Sequence, residues 1–129
     1  MANDIDKIQR FTDLNAWKEA HKLSLIIYKL TANFPAEERY SLIDQMRRAA
    51  VSVTSNISEG FSRNSANEKR RFYSMAKGSN MELQNQLILS KDLGYLDGDE
   101  FKKAFEQSVN VNKLISGLFK AAEKLDHNK

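Results

Sequence analysis

QMRRAAVSVTSNISEGFSRNSANEKRRFYSMAKGS, Gln45 to Ser79, carries two helical patterns joined by one short polar turn. On the first pattern Leu42, Ile43, Met46, Ala49, Ala50, Val53 and Ile57 recur at spacings of three and four, the period of one helix face. Gly60 is the expected end of that helix, because glycine enters the left-handed backbone that closes a helix and lets Phe61 fold back on the last turn. Ser65 followed by Glu68 then fits a capping box, in which each side chain satisfies the other's backbone amide. A third helix is therefore predicted from Ala66 to about Leu93, stopped by Gly94, with Phe72, Met75, Ala76, Ser79, Leu83, Leu87 and Ser90 or their neighbours inward.

Working outward, the first helix is predicted after Asp13, whose carboxylate can accept from first-turn amides, and ends near Asn33 because Pro35 disfavours helical geometry at Phe34. Leu14, Trp17, His21, Ser24, Tyr28 and Thr31 share one face of it, beside a stripe of Ala16, Ala20, Leu23, Ile27 and Leu30. This puts His21 on the buried face as a packed histidine. The second helix begins between Pro35 and Ser41. Asp97 with Glu100 makes a second box-like start, and Phe101, Phe105, Ser108, Asn112, Ile115, Phe119 and Ala122 give the fourth helix its face. Strand signals are missing, and one proline and five glycines leave the helices uninterrupted.

Four helices of roughly 20 to 28 residues with short connections predict an all-α, antiparallel up-down-up-down four-helix bundle. The 129 residues suit a single domain, 1–129, with a short N-terminal arm, 1–12, and a frayed tail, 126–129. Small residues on the facing helices (Ala49, Ala50, Ser52, Thr54, Ala76, Gly78, Ser79) permit close backbone approach, and Asn56, Asn80, Gln84 and Gln86 are candidates for hydrogen bonds between helices. Ile26 beside the main face of helix one, and Leu87, Ile88 and Leu89 in succession, point apolar side chains in more directions than one bundle interior takes up. That surplus predicts a homo-oligomer.

Chemistry is limited by what the chain lacks. Without cysteine there are no disulfides, thiolate metal sites or cysteine nucleophiles, which fits a reducing compartment. Neither of the two histidines, His21 and His127, follows a glutamate by three residues, so the carboxylate-histidine pairs of di-iron bundles cannot be built. No phosphate-cradling glycine loop, nucleophile elbow or dinucleotide fingerprint occurs. No catalytic residue, metal, cofactor or small-molecule substrate is expected, and the protein reads as a non-enzyme. MANDIDKIQRF lacks the apolar run of a secretory signal, and the longest apolar cluster, near Leu25 to Leu30, is broken by Lys29, so a cytoplasmic protein without membrane partner is expected.

Charge is the one positive signal. Residues 39–77 hold eight basic side chains against three acidic ones, while the whole chain carries a net +3. Arg47, Arg48, Arg63, Lys69, Arg70 and Arg71 are the candidate nucleic-acid-binding residues. An acidic protein partner, or ion pairs between subunits, would use the same side chains.

Residues Asp13 to Leu96 closely resemble the bacterial four-helix bundle proteins encoded by intervening sequences within 23S ribosomal RNA genes. The resemblance rests on Trp17 with Ala20-His21, Phe34-Pro35 with Tyr40, the QMRRAAVSV run, the helix end from Asn56 to Gly60, the block from Arg70 to Tyr73 with Gly78-Ser79, and Gly94-Tyr95-Leu96. Ser58 stands where members often carry alanine. The resemblance implies a ring-like homopentamer of four-helix bundles. It also implies a likeness in fold to the accessory variability-determinant proteins of diversity-generating retroelements, which bind nucleic acid and a reverse transcriptase.

Overall fold

The computed structural model describes residues 8–127. Among them are four α-helices and no strand: α1 (Asn15–Thr31), α2 (Leu42–Ser62), α3 (Ala66–Asp92) and α4 (Gly98–His127). Single 3-10 turns at Phe11–Asp13 and Ala36–Glu38 lead into α1 and α2. α1 packs on α2, α2 on α3, α3 on α4 and α4 back on α1, so the four helices close around one interior. Leu23 and Ile27 of α1, Met46, Val53 and Ile57 of α2, Leu83 and Leu87 of α3, and Val111 and Ile115 of α4 fill it, all essentially without solvent contact. Each such side chain contributes about 1.5–3 kcal/mol relative to an exposed one.

The helix ends show which local signals hold. α3 begins where Ser65 accepts a hydrogen bond from the Glu68 amide at 3.1 Å, the serine half of the expected box. Ser65→Ala is expected to lower stability by roughly 0.5–2 kcal/mol, read from a urea midpoint, because that amide loses its acceptor. The α4 start holds both halves: Asp97 N–H donates to Glu100 Oε1 at 2.9 Å and Glu100 N–H to Asp97 Oδ1 at 2.8 Å. Gly94 has φ +82°, and with it the Tyr95 amide bonds Ser90 O and the Gly94 amide bonds Lys91 O. Those bonds are the double closure of a helix that glycine permits.

Two other ends differ from expectation. Asp13 turns backward: its carboxylate accepts from the Gln9 and Arg10 amides, both at 3.0 Å, closing the 3-10 turn, and α1 starts at Asn15 without a side-chain cap. Those two amide bonds hold the Asp13 carboxyl below its usual pKa. Gly60 does not end α2 in the left-handed region. The helix runs on to Ser62, and a Cβ at Gly60 would stand 2.5 Å from Cε1 and 2.8 Å from Cδ1 of Tyr73. Glycine is there because the Tyr73 ring of α3 lies on the α2 backbone. The tail is helical as far as His127; residues 1–7 of the arm and 128–129 lie outside the described residues.

Ala76, Leu83, Leu87 and Ser90 of α3 and Ser108, Ile115 and Ala122 of α4 are buried as expected, and the differences lie at the other positions of those two faces. Tyr73 and Asn80 are buried where Phe72 and Ser79 were expected, Met75 is exposed, and on α4 Ala104 and Val111 are buried while Phe101, Phe105 and Phe119 are only partly so. Several polar side chains inside reach a partner across or along helices, while Asn80 Oδ1, Gln86 Oε1 and Asn112 Oδ1 are buried without one among the described residues. Ser24 donates to Ala50 O at 3.2 Å, Asn80 Nδ2 to Ser108 O at 2.8 Å and Gln84 Nε2 to Ser108 Oγ at 3.1 Å. Of the four candidate amides, then, Asn80 and Gln84 bridge helices, whereas Asn56 bonds Ser52 O and Gln86 bonds Glu82 on their own helices. Ser52 and Ser79 meet at 2.8 Å, so the small side chains of α2 and α3 do face each other. Gly78 takes no part: a Cβ there would meet nothing within 4 Å, and nothing in the structure explains the glycine.

Candidate nucleic-acid interface

The six candidate cations do not form one patch. Arg47 and Arg48 sit near the start of α2, and Arg63, Lys69, Arg70 and Arg71 at the turn into α3. From Arg48 to Arg63 the chain climbs about 22 Å at 1.5 Å per helical residue. A single ligand reaching both groups must extend along α2.

Most of these side chains are occupied by the fold. Arg47 is half-buried: its Nε donates to Thr31 Oγ1 at 2.9 Å, a terminal nitrogen donates to Tyr28 O at 3.3 Å, and the guanidinium lies 4.6 Å from the centre of the Tyr28 ring. Thr31 is fully buried and passes its own proton to Ile27 O at 2.7 Å. Arg47 therefore clasps α2 to the last turn of α1, the negative end of that helix's dipole, which favours a cation. Lys69 does the same at the end of α2, donating to Gly60 O at 3.2 Å and Phe61 O at 2.9 Å. Burial pushes its ammonium below the usual lysine pKa. Arg63 donates to Glu59 at 2.9 Å and covers the Phe72 ring, and the half-buried Arg70 bonds Asn67.

Arg48 and Arg71 are exposed. Arg48 uses Nε alone, on Asp44 at 3.0 Å, which leaves its terminal nitrogens open; exposed pairs of this kind are worth at most about 1 kcal/mol. Arg71 has no hydrogen bond or ion pair among the described residues. A guanidinium with its donors unused is the side chain best suited to grip a phosphate in two-pronged fashion. From Arg71 an outward strip continues along α3 through Met75, Gly78, Glu82, Asn85, Leu89 and Leu93, all exposed.

α1 holds a feature that periodicity misplaces, on the flank whose Ser24 and Thr31 bond α2. His21 is exposed, not buried, and stacks on the half-buried Trp17 with ring centres 4.8 Å apart and planes 10° from parallel. Phe11 meets Trp17 edge-on at 5.6 Å. Both residues are among those lining an open hollow of about 600 Å³ over the outer face of α1, which extends past Lys18, Lys22 and Glu19 to Asn110 and Leu114 of α4. Tryptophan and histidine one turn apart resemble a core stripe in a one-dimensional pattern. The flanking Lys18 and Lys22, also one turn apart, are the signal that this face meets solvent.

No group of histidine and carboxylate side chains among the described residues is placed to hold a metal ion. No described helix is long and apolar enough to cross a membrane.

Among known proteins, no curated sequence matches the chain significantly. A solved structure from Bacteroides thetaiotaomicron, described as a protein with unknown function from the S23 ribosomal protein family, is similar with a TM-score of 0.72. At 20% identity, over 81% of this chain and 95% of that one, the likeness concerns the fold alone. The family model described as 23S rRNA-intervening sequence protein matches residues 12–117, from the turn before α1 deep into α4 and so beyond the stretch that carried the resemblance. With these helices, their order and a match over most of its length, the chain belongs to the 23S rRNA-intervening sequence protein family.

Proposed function

We propose that the protein is a non-enzymatic scaffold, a homopentameric ring of antiparallel up-down-up-down bundles, that binds structured RNA through Arg47, Arg48, Arg63, Lys69, Arg70 and Arg71. The observation that carries the RNA reading is Arg71, exposed with its donors unused, beside Arg70 on the opening turns of α3. Arg48 supplies a second exposed guanidinium along α2, while Arg47, Arg63 and Lys69 chiefly hold the backbone that presents them. The up-down order is supported by bonded pairs whose numbers rise on one helix as they fall on the next: Ser24–Ala50 and Thr31–Arg47, Met46–Ser90 and Ser52–Ser79, Lys77–Ser116 and Asn80–Ser108. Self-association is supported by exposed Leu25, Met81, Ile88, Leu89 and Leu93.

The exposed Met75 and Leu89 on the same strip as Arg71 favour a second reading, a protein-interaction scaffold for an acidic partner. Binding across a salt series separates the two. Each phosphate contact releases counterions, so RNA affinity falls linearly on a log–log plot, and Arg70→Ala with Arg71→Ala flattens the slope by about one to two units. Light scattering on parent and variant is expected to give the same mass, that of five 14.8 kDa chains. Undetectable binding of the parent to mixed RNA and duplex DNA at low salt would end the nucleic-acid reading, and a one-chain mass would end the ring.

A further inference from the structure

We propose that the groove between the N-terminal half of α3 and the C-terminal half of α4 is a binding pocket for a small monocarboxylate with an apolar body, a function separate from the scaffold reading above. Its walls belong to two helices that pack directly on each other. Tyr73 and Lys77 stand on the α3 side, and Ser116, Phe119 and Lys120 on the α4 side, around about 340 Å³, the lower end of the small-ligand range. Lys77 Nζ donates to Ser116 Oγ at 3.3 Å across the seam. Asn80 meets Ser108 further along it, so residue numbers rise on α3 as they fall on α4, and Tyr73, one turn before Lys77, comes level with Phe119 and Lys120. Ile115, fully buried, and Phe119, half-buried, line the groove with Tyr73 and give it an apolar floor.

Tyr73 supplies the group that most needs a ligand. It is only 4% exposed and its ring lies on the α2 backbone at Gly60, yet its hydroxyl has no hydrogen bond among the described residues and is not sealed in as Asn80 Oδ1 and Gln86 Oε1 are. The groove is the opening that Tyr73 borders. A buried tyrosine ordinarily has a partner for its hydroxyl, and phenylalanine would fill the same space without needing one. Burial raises the phenol above its usual pKa, so at neutral pH it keeps its proton and is a donor. Charge agrees. Lys77 and Lys120 are both exposed and make no ion pair among the described residues, and Lys77 spends one of its three donors on Ser116. One carboxylate, that of Glu123, lines the groove too, seven residues beyond Ser116 and so about 10 Å along α4. Two ammonium groups against one carboxylate leave a single positive charge, which suits a monoanion. Its carboxylate would lie among Lys77, Lys120 and the Tyr73 hydroxyl, with its ring or chain on Ile115 and Phe119.

The experiment titrates the intact protein calorimetrically with 1-naphthoate and with 1-naphthalenemethanol, which has the same rings and no charge. Naphthoate is expected to bind at one site per chain, roughly tenfold or more tighter than the alcohol. Lys77→Met with Lys120→Met, at exposed positions whose folding circular dichroism checks, should bring naphthoate down to the affinity of the alcohol. Tyr73→Phe keeps the ring against Gly60 and removes only the hydroxyl. It should weaken naphthoate roughly 10- to 150-fold, the worth of a hydrogen bond to a charged group, while the urea midpoint of the free protein stays or rises because no partner is lost. Equal binding of the two compounds, or no binding of naphthoate, would overturn the pocket. So would a Tyr73→Phe variant that loses stability but keeps its naphthoate affinity, since the hydroxyl would then serve the fold. RNA binding measured beside it separates the two functions. Lysine variants that lose RNA affinity in a protein that binds no naphthoate would assign the seam to the nucleic-acid interface, overturning the pocket and leaving the scaffold reading. Naphthoate binding by a protein that binds no RNA would do the reverse.

Discussion

Gly60→Ala is expected to destabilise the protein by about 1–3 kcal/mol, although the same change in an ordinary helix interior is favourable by up to about 1 kcal/mol. The added methyl would lie 2.5 Å from one ring carbon of Tyr73, 2.8 Å from the next and 3.2 Å from Phe72 Cβ. Tyr73 is only 4% exposed, so its ring cannot swing into solvent, and Phe72 Cβ can move only with the α3 backbone. Relief therefore requires separating α2 from α3 where Lys69 ties them together. Gly78→Ala is the internal control: no atom lies within 4 Å of its Cβ, so the propensity gain is unopposed and stability rises. Urea midpoints of the two variants should move in opposite directions. Combined with Tyr73→Ala, Gly60→Ala should cost less than the two separate losses together, because the overlap is gone. Equal or greater stability of Gly60→Ala alone would mean that the ring moves freely.

The run Leu87-Ile88-Leu89 supplies the largest contrast within three adjacent residues. Leu87→Ala is expected to cost about 2–5 kcal/mol, since the side chain is fully buried and leaves a cavity that close-packed neighbours only partly fill. Leu89 is 46% exposed, and within the chain its truncation should stay within about 0.5 kcal/mol. Chemical denaturation of both, with scattering mass measured beside it, checks the pair. If a second copy covers Leu89 as proposed, its truncation acts on mass instead of on the fold of the single chain. Equal losses at unchanged mass would contradict the burial pattern.

Features legible from the chain are those whose cause lies within a few residues. Ser65, Asp97 with Glu100, and Gly94 each act on backbone groups at most a few positions away, and each behaves as read, Ser65 by its own half of the box. The misreadings share another cause. Asp13 can reach forward to α1 or back to Gln9 and Arg10, and its choice depends on how the 3-10 turn lies on the bundle. Phe72 and Tyr73 are adjacent aromatics, so the pattern does not say which points inward; it is the Tyr73 ring that lies against Gly60 of α2 and is buried there. His21 follows the same rule: Trp17 and Ser24 on its flank pack inward while His21 stays exposed, a difference of depth that the spacing does not show.

For the candidate site the division is similar. The concentration of positive charge between residues 39 and 77 is a property of the sequence and needs no structure. Which of those charges remain available is not, because each partner sits on another element: Thr31 and Tyr28 of α1 take up Arg47, and the carbonyl end of α2 takes up Lys69. The sequence by itself determined four helices, their order and most of their ends, since helical period and capping are short-range interactions. Tertiary structure alone decided that Tyr73 and not Phe72 turns inward, that Ala104 and Val111 and not the phenylalanines of α4 are fully buried, that Gly60 is a contact and not a stop, which of the six cations the fold takes up, and that His21 stacks on Trp17 in the open. Each of those depends on distances between helices, and such distances are set by how side chains remote in sequence fill a common interior.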